Sequence, residues 1–246
     1  MERPAGFLLI DKPAGMTSHD VVNRVRRATG ERTVGHAGTL DPFATGLLLV
    51  GVGRPATREF PNLVGLDKEY EAVFAFGATS DTDDRTGTVT PHPGARPVSA
   101  EEIRAALPRF VGEIEQIPPA YAAIKVGGKK MYEAARAGAP IAAPPRRVRV
   151  TAFELLDAAE KPHTFSFRIA CGSGTYIRAL ARDLGAALGV GGYVEELRRT
   201  KVGPFPVAEA VPLADLSPET AVTYLHAPPA LLARLSPPPA PATLGA

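Results

Sequence analysis

The chain has 246 residues, which is enough for one large domain or two small ones with a sizeable core. Its 45% hydrophobic and 22% charged residues are ordinary for a globular protein, and no apolar run approaches the roughly 18 residues that span a bilayer. The single cysteine, Cys171, excludes an internal disulfide. Because the N-terminus also lacks the features of a signal peptide, we expect a cytoplasmic protein.

The charge balance does not by itself indicate a nucleic-acid-binding protein. The net charge is +2 and the pI is near 8.7, whereas domains with a strong nucleic-acid signature have a pI above about 9. Basic residues do cluster, in segments 24–27, 125–130, 146–149 and 198–201. From charge alone, these clusters are either RNA contacts or ordinary solvated surface.

The first quarter of the chain predicts two strands around a helix. Residues 6–10 are typical of a short buried strand, which residues 11–15 end. Ser18 is predicted to cap a helix with Val21, Val22 and Val25 on its buried face, and Gly30 to end that helix. A second apolar strand is predicted at residues 47–52.

The remaining elements mix strands and helices. Alternation predicts strands at residues 69–77 and 164–171, and Ser99 with Glu102 forms a capping box for a helix. An amphipathic helix is predicted at residues 175–188, capped by Ser173 or Thr175. Since no regular βαβ rhythm is present, we predict an α+β fold with a largely antiparallel sheet. The Pro-rich tail, residues 236–246, is predicted to be disordered.

Residues 35–46 are the first candidate for chemistry. Their three glycines indicate unusual backbone dihedrals or a close approach to a ligand. Pro42 holds Asp41 out of the helical region, so its carboxylate lies on an irregular segment. From these residues alone, Asp41 either starts a turn or is a catalytic group on a loop.

Two further segments leave similar alternatives. Tyr176 and Arg178 are predicted in the first turn of the helix, where an arginine opposes the helix dipole. Arg178 is therefore either a surface residue or the partner of a carboxylate. Tyr70 shares a strand face with Phe74 and Phe76, which is typical of a core residue as well as of an active-site one.

Three metal or cofactor hypotheses are not supported by the sequence. The acidic run from Asp81 lacks the glycine and glutamate that an EF-hand calcium loop requires at its sixth and twelfth positions, which hold Thr86 and His92. The five histidines show no paired ligand spacing. Residues 51–56 nominally fit a dinucleotide fingerprint, but no second βα unit follows. We expect neither a metal nor a cofactor.

Taken together, these segments resemble the bacterial tRNA pseudouridine-55 synthases, from about Phe7 to Pro206. The resemblance is carried by six motifs in the family's order and spacing. They are residues 9–18, 35–46, 68–70, 117–130, 174–178 and 197–199, together with the acidic run at Asp81. The resemblance implies a pseudouridine synthase fold, with a mixed, mainly antiparallel central sheet flanked by helices and loops.

The resemblance also implies a role for each matching residue. Asp41 is the catalytic carboxylate, Arg178 pairs with it and keeps it ionised, and Tyr70 stacks on the target base and transfers a proton. Whether Asp41 attacks the base or the sugar is left open. The other implied residues contact substrate: Tyr176 and Leu197 line the uracil pocket, His36 fills the space of the flipped base, Lys12 orders the active-site loop, and phosphate contacts come from Lys125, Lys129, Lys130, Arg146, Arg198 and Arg199.

The domain organisation departs from many relatives. We predict a catalytic domain at residues 1–210, a short helical extension at 211–235 and the disordered tail. About 35 residues follow Val211, too few for a full C-terminal RNA-binding domain of the PUA type, so we expect weaker or less discriminating tRNA binding. The expected partner is the T-arm of tRNA, bound by a monomer without membrane contact. Two alternatives are a pseudouridine synthase for another RNA and a non-catalytic tRNA-binding or folding module.

Overall fold

The computed structural model describes residues 4–122, 124–126, 129–131, 141, 143–158 and 163–235. Its strands and helices, in chain order, are β1 (Gly6–Lys12), α1 (Ser18–Thr29), β2 (Val34–His36), β3 (Thr45–Val52), α2 (Arg54–Thr57), α3 (Phe60–Val64), β4 (Lys68–Phe76), β5 (Ala78–Ser80), β6 (Val89–Pro91), α4 (Ala100–Ala106), β7 (Gly112–Gln116), β8 (Lys125–Val126), β9 (Lys129–Lys130), β10 (Arg146–Ala158), β11 (Thr164–Cys171), α5 (Ile177–Ala187), β12 (Gly192–Val202), β13 (Phe205–Pro206), β14 (Val211–Pro212) and α6 (Pro228–Ala233).

The described residues form two compact units. Residues 4–42, 46–64 and 201–235 belong to unit 1, and residues 43–45 with the described part of 65–200 belong to unit 2. Residues 211–235, predicted as a helical extension, contain β14 and α6 and belong to unit 1. The predicted disordered tail, residues 236–246, lies outside the described residues.

Unit 1 is built on a small mixed sheet. Its central strand β1 pairs antiparallel with β3 and parallel with β14, and β2 pairs antiparallel with the other edge of β3. The apolar face of α1 packs on this sheet, where Val21, Val22 and Val25 join Ile10 and Leu48 in one core cluster. The predicted α1 and its end at Gly30, which has a left-handed backbone, are confirmed.

The cap of α1 differs from the prediction. Thr17, not Ser18, is the N-cap residue, and it forms a reciprocal capping box with Asp20. Ser18 is the first residue of the helix, and its hydroxyl forms hydrogen bonds with the backbone of Leu40 instead. The sequence signal was ambiguous because Thr17 and Ser18 are adjacent and both residue types are good caps.

Unit 2 is built on an antiparallel sheet. Strand β4 pairs with β11, β11 with β10, and β10 with β7, and β12 is the other neighbour of β4. Apolar side chains alternate along these strands, so that Phe74, Phe153 and Phe167 form an aromatic cluster on one face. The predicted α+β class with a mainly antiparallel sheet is therefore confirmed.

The helices of unit 2 begin differently. Helix α4 begins at the predicted capping box of Ser99 and Glu102. Helix α5 has Tyr176 at its N-cap without a side-chain cap bond, so the predicted caps, Ser173 and Thr175, are wrong. The hydroxyl of Thr175 donates to the carbonyl of Gly172 instead, within the preceding turn. The end of α5 is followed by Gly189 in a left-handed conformation.

Candidate active site

The loop that holds Asp41 is fixed on both sides of that residue within unit 1. Before it, the Ser18 hydroxyl accepts from the backbone N–H of Leu40 at 2.9 Å and donates to its carbonyl at 3.1 Å. After it, the carbonyl of Pro42 accepts from the Lys12 ammonium at 3.3 Å and from the Gly15 N–H at 2.8 Å. The backbone on each side of Asp41 is therefore held in place by these hydrogen bonds.

Lys12 is fully buried, with no exposed surface. Its ammonium donates to the carbonyls of Pro13 at 2.9 Å and Met16 at 2.8 Å, in addition to that of Pro42. A buried lysine that binds three carbonyls is a local crosslink, because each carbonyl would otherwise lack part of its hydrogen bonding. Since Lys12 is not at the surface, the geometry supports loop ordering and not direct contact with substrate.

Glycine is required near His36 because another ring packs against the backbone. A Cβ atom on Gly35 would lie 2.8 Å from the Phe60 ring. Further along the loop, Gly38 and Gly46 have φ angles of 97° and 102°, which L-residues rarely adopt. Unusual dihedrals, one of the two predicted reasons for these glycines, are therefore present. The close approach at Gly35 is to the Phe60 ring, whereas the prediction was an approach to a ligand. His36 is half-buried at the end of β2.

In unit 2, Arg178 forms a buried ion pair with a carboxylate. Its Nη1 lies 3.5 Å from Oδ2 of Asp84, and the two side chains are only 4% and 5% exposed. The same guanidinium donates to the carbonyls of Thr82 at 2.9 Å and Tyr121 at 3.4 Å. An arginine in the first turn of a helix thus has the carboxylate partner that the helix dipole argument favours.

Asp84 belongs to a tightly hydrogen-bonded segment, residues 80–87, which we call the acidic loop. Its Oδ1 accepts from the Thr82 hydroxyl at 2.9 Å and from the N–H of Thr86 at 2.9 Å. Its backbone carbonyl accepts from the Ser80 hydroxyl at 2.6 Å. These bonds orient the carboxylate toward Arg178 before any substrate is present. Asp84 was not among the predicted site residues.

Tyr176 is anchored through its backbone. The side-chain amide of Gln116 donates to the Tyr176 carbonyl at 3.0 Å and accepts from its N–H at 2.9 Å, so one side chain satisfies both groups. Gln116 is 1% exposed. It was not among the predicted site residues, because a lone glutamine at the end of a strand carries no local signal. The guanidinium of Arg146 lies 5.7 Å from the centre of the Tyr176 ring, within cation–π range.

Leu197 and Arg198 line a cavity of about 560 Å³ in unit 2. Arg198 also lies 3.4 Å from the Thr45 hydroxyl, which lines the same cavity. Tyr70 lies on β4 and is 8% exposed, and Tyr176 and Arg178 do not line this cavity. The full lining is Phe43, Thr45, Glu71, Ala72, Val73, Arg85, Leu156, Ser166, Phe167, Glu196, Leu197 and Arg198.

The predicted phosphate contacts differ in where they lie. Lys125 is on β8, and Lys129 and Lys130 are on β9, which pairs with β8 as a short antiparallel hairpin. Arg199, in contrast, is 1% exposed. That burial does not fit a phosphate contact, because a phosphate group reaches such a side chain only after the structure rearranges. Its alternation with Arg198 along β12 turns it inward.

Lys68 makes the free energy of unfolding depend on pH. Burial, with a further contribution from the charge of Arg199, lowers the pKa of Lys68 to about 8. Between that value and the pKa of an unfolded lysine, about 10.4, the unfolded chain binds a proton that the folded chain lacks, so stability rises with pH. We expect the free energy of unfolding of the native chain, relative to Lys68→Met, to increase between about pH 8 and pH 10.4.

Urea unfolding at several pH values checks this expectation. Burial raises the pKa of the Cys171 thiol to about 11, an effect of opposite sign. Because the charge of Lys68 opposes that increase in the native chain, both proteins are compared in a Cys171→Ala background. The exposed Lys201 supplies the control, because Lys201→Met changes the same residue type without burial. A difference between native chain and Lys68→Met that stays constant with pH would contradict the shifted pKa.

Two absences hold within the described ranges. No group of three or more His, Cys, Asp or Glu side chains there could hold a metal ion. No helix in the same part of the chain is both long enough and apolar enough to cross a membrane.

Comparisons with known proteins identify the family. The model for the N-terminal domain of TruB family pseudouridylate synthases matches residues 26–177, and the model for the tRNA pseudouridylate synthase B C-terminal domain matches residues 178–237. A tRNA pseudouridine synthase B of Corynebacterium efficiens is 50% identical over 214 residues, which are 86% of this chain and 72% of the relative. One of Leifsonia xyli is 49% identical over 223 residues, or 89% and 74%.

Solved structures agree with the sequence comparison. A chain in the structure of a Cbf5–Nop10–Gar1 complex superposes with a TM-score of 0.66 at 32% identity, over 86% of this chain. A chain of an archaeal box H/ACA sRNP Nop10–Cbf5 complex gives 0.63 and 31% over 88%. This chain spans 53% of the length of each of those two chains. The matched domain models and the identities show that the chain belongs to the TruB family of pseudouridylate synthases.

Proposed function

We propose that the chain isomerises the T-loop uridine of tRNA, position 55, to pseudouridine. The observation that carries the proposal is the identity of about half of all residues to relatives named tRNA pseudouridine synthase B, over most of this chain. The hydrogen-bonded loop that holds Asp41 and the buried Arg178–Asp84 pair support this proposal, because both would hold side chains in place before the substrate binds, as catalysis requires.

The proposed reaction breaks the bond between uracil N1 and ribose C1′, turns the base, and joins C5 to C1′. A proton leaves C5 and a proton is taken up at N1, so the product is an isomer of the substrate and no electron is gained or lost. Such a reaction needs a nucleophile and a group that moves a proton, and both are side-chain functions. The proposal therefore includes no cofactor and no metal.

Asp41 is the proposed nucleophile, and Arg178 keeps it ionised by placing a positive charge beside it. Tyr70 stacks on the flipped base and moves the proton from C5. Tyr176 and Leu197 line the uracil pocket. Asp84 is added to the family's set as the residue that fixes Arg178, on the basis of the buried ion pair.

The target uridine lies inside a folded loop, so it must be flipped out before it can react. His36 is proposed to fill the space that the base leaves. Binding energy for this step comes from cations that contact the RNA backbone. The proposed contacts are Lys125, Lys129, Lys130, Arg146 and Arg198. We further propose that the chain acts as a monomer, in the cytoplasm, on tRNA.

Tritium release from RNA containing 5-tritiated uridine tests the proposal, because forming the C5–C1′ bond expels the hydrogen on C5. We expect the native chain to release tritium from a T-arm stem-loop and not from the same stem-loop with cytidine at position 55. Stem-loops of other sequence serve as the comparison. Release from those alone would point to a different RNA target, and binding without release from any RNA would point to a non-catalytic module.

A further inference from the structure

Helix α5 carries a second arginine one turn beyond Arg178, and it pairs with the residue next to Asp84. Nη1 of Arg182 lies 2.9 Å from Oδ2 of Asp83. Residues four apart on a helix share a face, so Arg178 and Arg182 present two guanidinium groups to two consecutive carboxylates. The acidic loop is therefore held to α5 at two adjacent points.

Arg182 also connects α5 to a third segment. Its Nη2 donates to the carbonyl of Ile117 at 2.9 Å, and its Nε donates to Asp183 at 2.9 Å. Arg178 reaches the same segment through the carbonyl of Tyr121 at 3.4 Å. Each arginine thus spans the acidic loop and residues 117–121, and a planar fork of donors is the side chain suited to such bridging.

Residues 117–121 lead toward the β8–β9 hairpin, which carries the predicted phosphate contacts Lys125, Lys129 and Lys130 and which we call the clasp. Past that segment, Ala122, Met131 and Ala143 form a buried cluster, against which Ile124 and Tyr176 pack. Because Tyr176 is the N-cap residue of α5, the base of the clasp rests on the same end of the helix that carries Arg178. The acidic loop and the base of the clasp meet at this end of α5.

Asp83 is held in an unfavourable state by these contacts. Its φ angle is 59°, in the left-handed region that non-glycine residues rarely occupy. Burial raises the pKa of the Asp83 carboxyl, which the charge of Arg182 partly offsets. A strained residue of this kind persists only where surrounding contacts hold it. The ion pair with Arg182 is one such contact for Asp83.

We propose that Arg182 is a positioning residue for the reaction. It holds the acidic loop and the start of the clasp to α5, so that Asp84 keeps the guanidinium of Arg178 in place. The inference rests on the proposed function, and it assigns to Arg182 no contact with substrate. Its readout is the rate of the chemical step, since a small displacement of a catalytic group slows chemistry more than it weakens binding.

Single-turnover tritium release from the T-arm stem-loop tests this role, together with RNA affinity and melting temperature. We expect Arg182→Ala to slow the chemical step about 10- to 100-fold, with RNA affinity nearly unchanged. Arg182→Lys should recover part of the rate, because an ammonium keeps the pair with Asp83 but cannot also reach Ile117. Asp83→Asn, which preserves side-chain shape, should slow the step in the same direction and serves if Arg182→Ala does not fold.

Arg234 supplies the matched control. It pairs with both Glu209 oxygens at 2.7 and 3.0 Å, donates to the Pro204 carbonyl and lies over the Phe205 ring, so Arg234→Ala loses as many contacts in unit 1. That variant should lose thermal stability and keep the native rate. Native rates in folded Arg182→Ala and Asp83→Asn, or equal slowing in Arg234→Ala, would overturn the inference. A native chain without activity would instead contradict the proposed function.

Discussion

Asp41→Asn is expected to bind the T-arm with nearly native affinity and to release no measurable tritium. The substitution keeps the size and hydrogen-bonding shape of the side chain but removes the charge that makes it a nucleophile. Loss of a nucleophile lowers turnover on the order of 10⁴-fold or more in covalent enzymes. Single-turnover release and a filter-binding titration on the same RNA measure the two quantities separately.

The loop geometry is the reason to expect intact binding. Leu40 and Pro42 are held by Ser18, Lys12 and Gly15, and none of these bonds involves the carboxylate of Asp41. Asp215→Asn is the control, since it removes one negative charge from an exposed position in unit 1. A slow but clear release of tritium by Asp41→Asn, within tenfold of the control, would mean that another residue is the nucleophile.

Arg178→Lys is expected to lose about 100-fold in the rate of tritium release and little in stability. Lysine keeps the positive charge beside Asp84, so the buried carboxylate stays compensated. An ammonium, however, cannot bridge the Asp84 carboxylate and the carbonyls of Thr82 and Tyr121 as the guanidinium does. The positive charge would remain, but it would be displaced, and displacement of a catalytic group by about 1 Å slows the chemical step about 100-fold.

Asp84→Asn tests the other partner of the same buried pair. Removing one charge from a buried pair leaves the other uncompensated, at a cost of about 3–5 kcal/mol in the free energy of unfolding. We therefore expect a large loss in both stability and rate. The exposed pair of Arg96 and Glu102 is the control, because Glu102→Gln removes a comparable contact that solvent screens. Native rates in both Arg178→Lys and Asp84→Asn would show that this pair has no part in catalysis.

Local patterns were enough to predict the elements whose sequence signals agree. Helix α1 has an apolar stripe, caps and a glycine end, and its prediction failed only in choosing between two adjacent hydroxyl residues. Strand β11 alternates cleanly, so its bounds were predicted from that alternation. In both, local propensity and tertiary burial point the same way.

Strands β10 and β12 were not predicted, although they form much of the sheet of unit 2. Strand β10 carries arginines at alternate positions, Arg147 and Arg149, and β12 carries the adjacent pair Arg198 and Arg199. These charged residues mask the apolar alternation that marks a strand. Arg199 is a second case in which a charged residue type was misleading. Its type indicated surface, and only the register of β12 revealed that it is buried.

Some residues of the candidate site could be predicted from the sequence and others could not. Asp41, Tyr70 and Arg178 were found because the residues around them follow a family pattern, whereas physical patterns alone left each with an ordinary alternative. The partners Asp84 and Gln116 were missed because their roles depend on contacts across 94 and 60 positions of sequence, respectively, with Arg178 and Tyr176. No local pattern encodes such distant pairs.

The most direct test of the account uses tRNA that carries tritium only at C5 of uridine 55. If the chain isomerises uridine 55 with Asp41 as nucleophile, the native chain releases that tritium stoichiometrically, and Asp41→Asn reduces the rate of release to background. Retention of the label after prolonged incubation, under conditions where the same chain releases tritium from uniformly labelled tRNA, would contradict the proposed target. Retention in both RNAs would contradict the proposed enzyme.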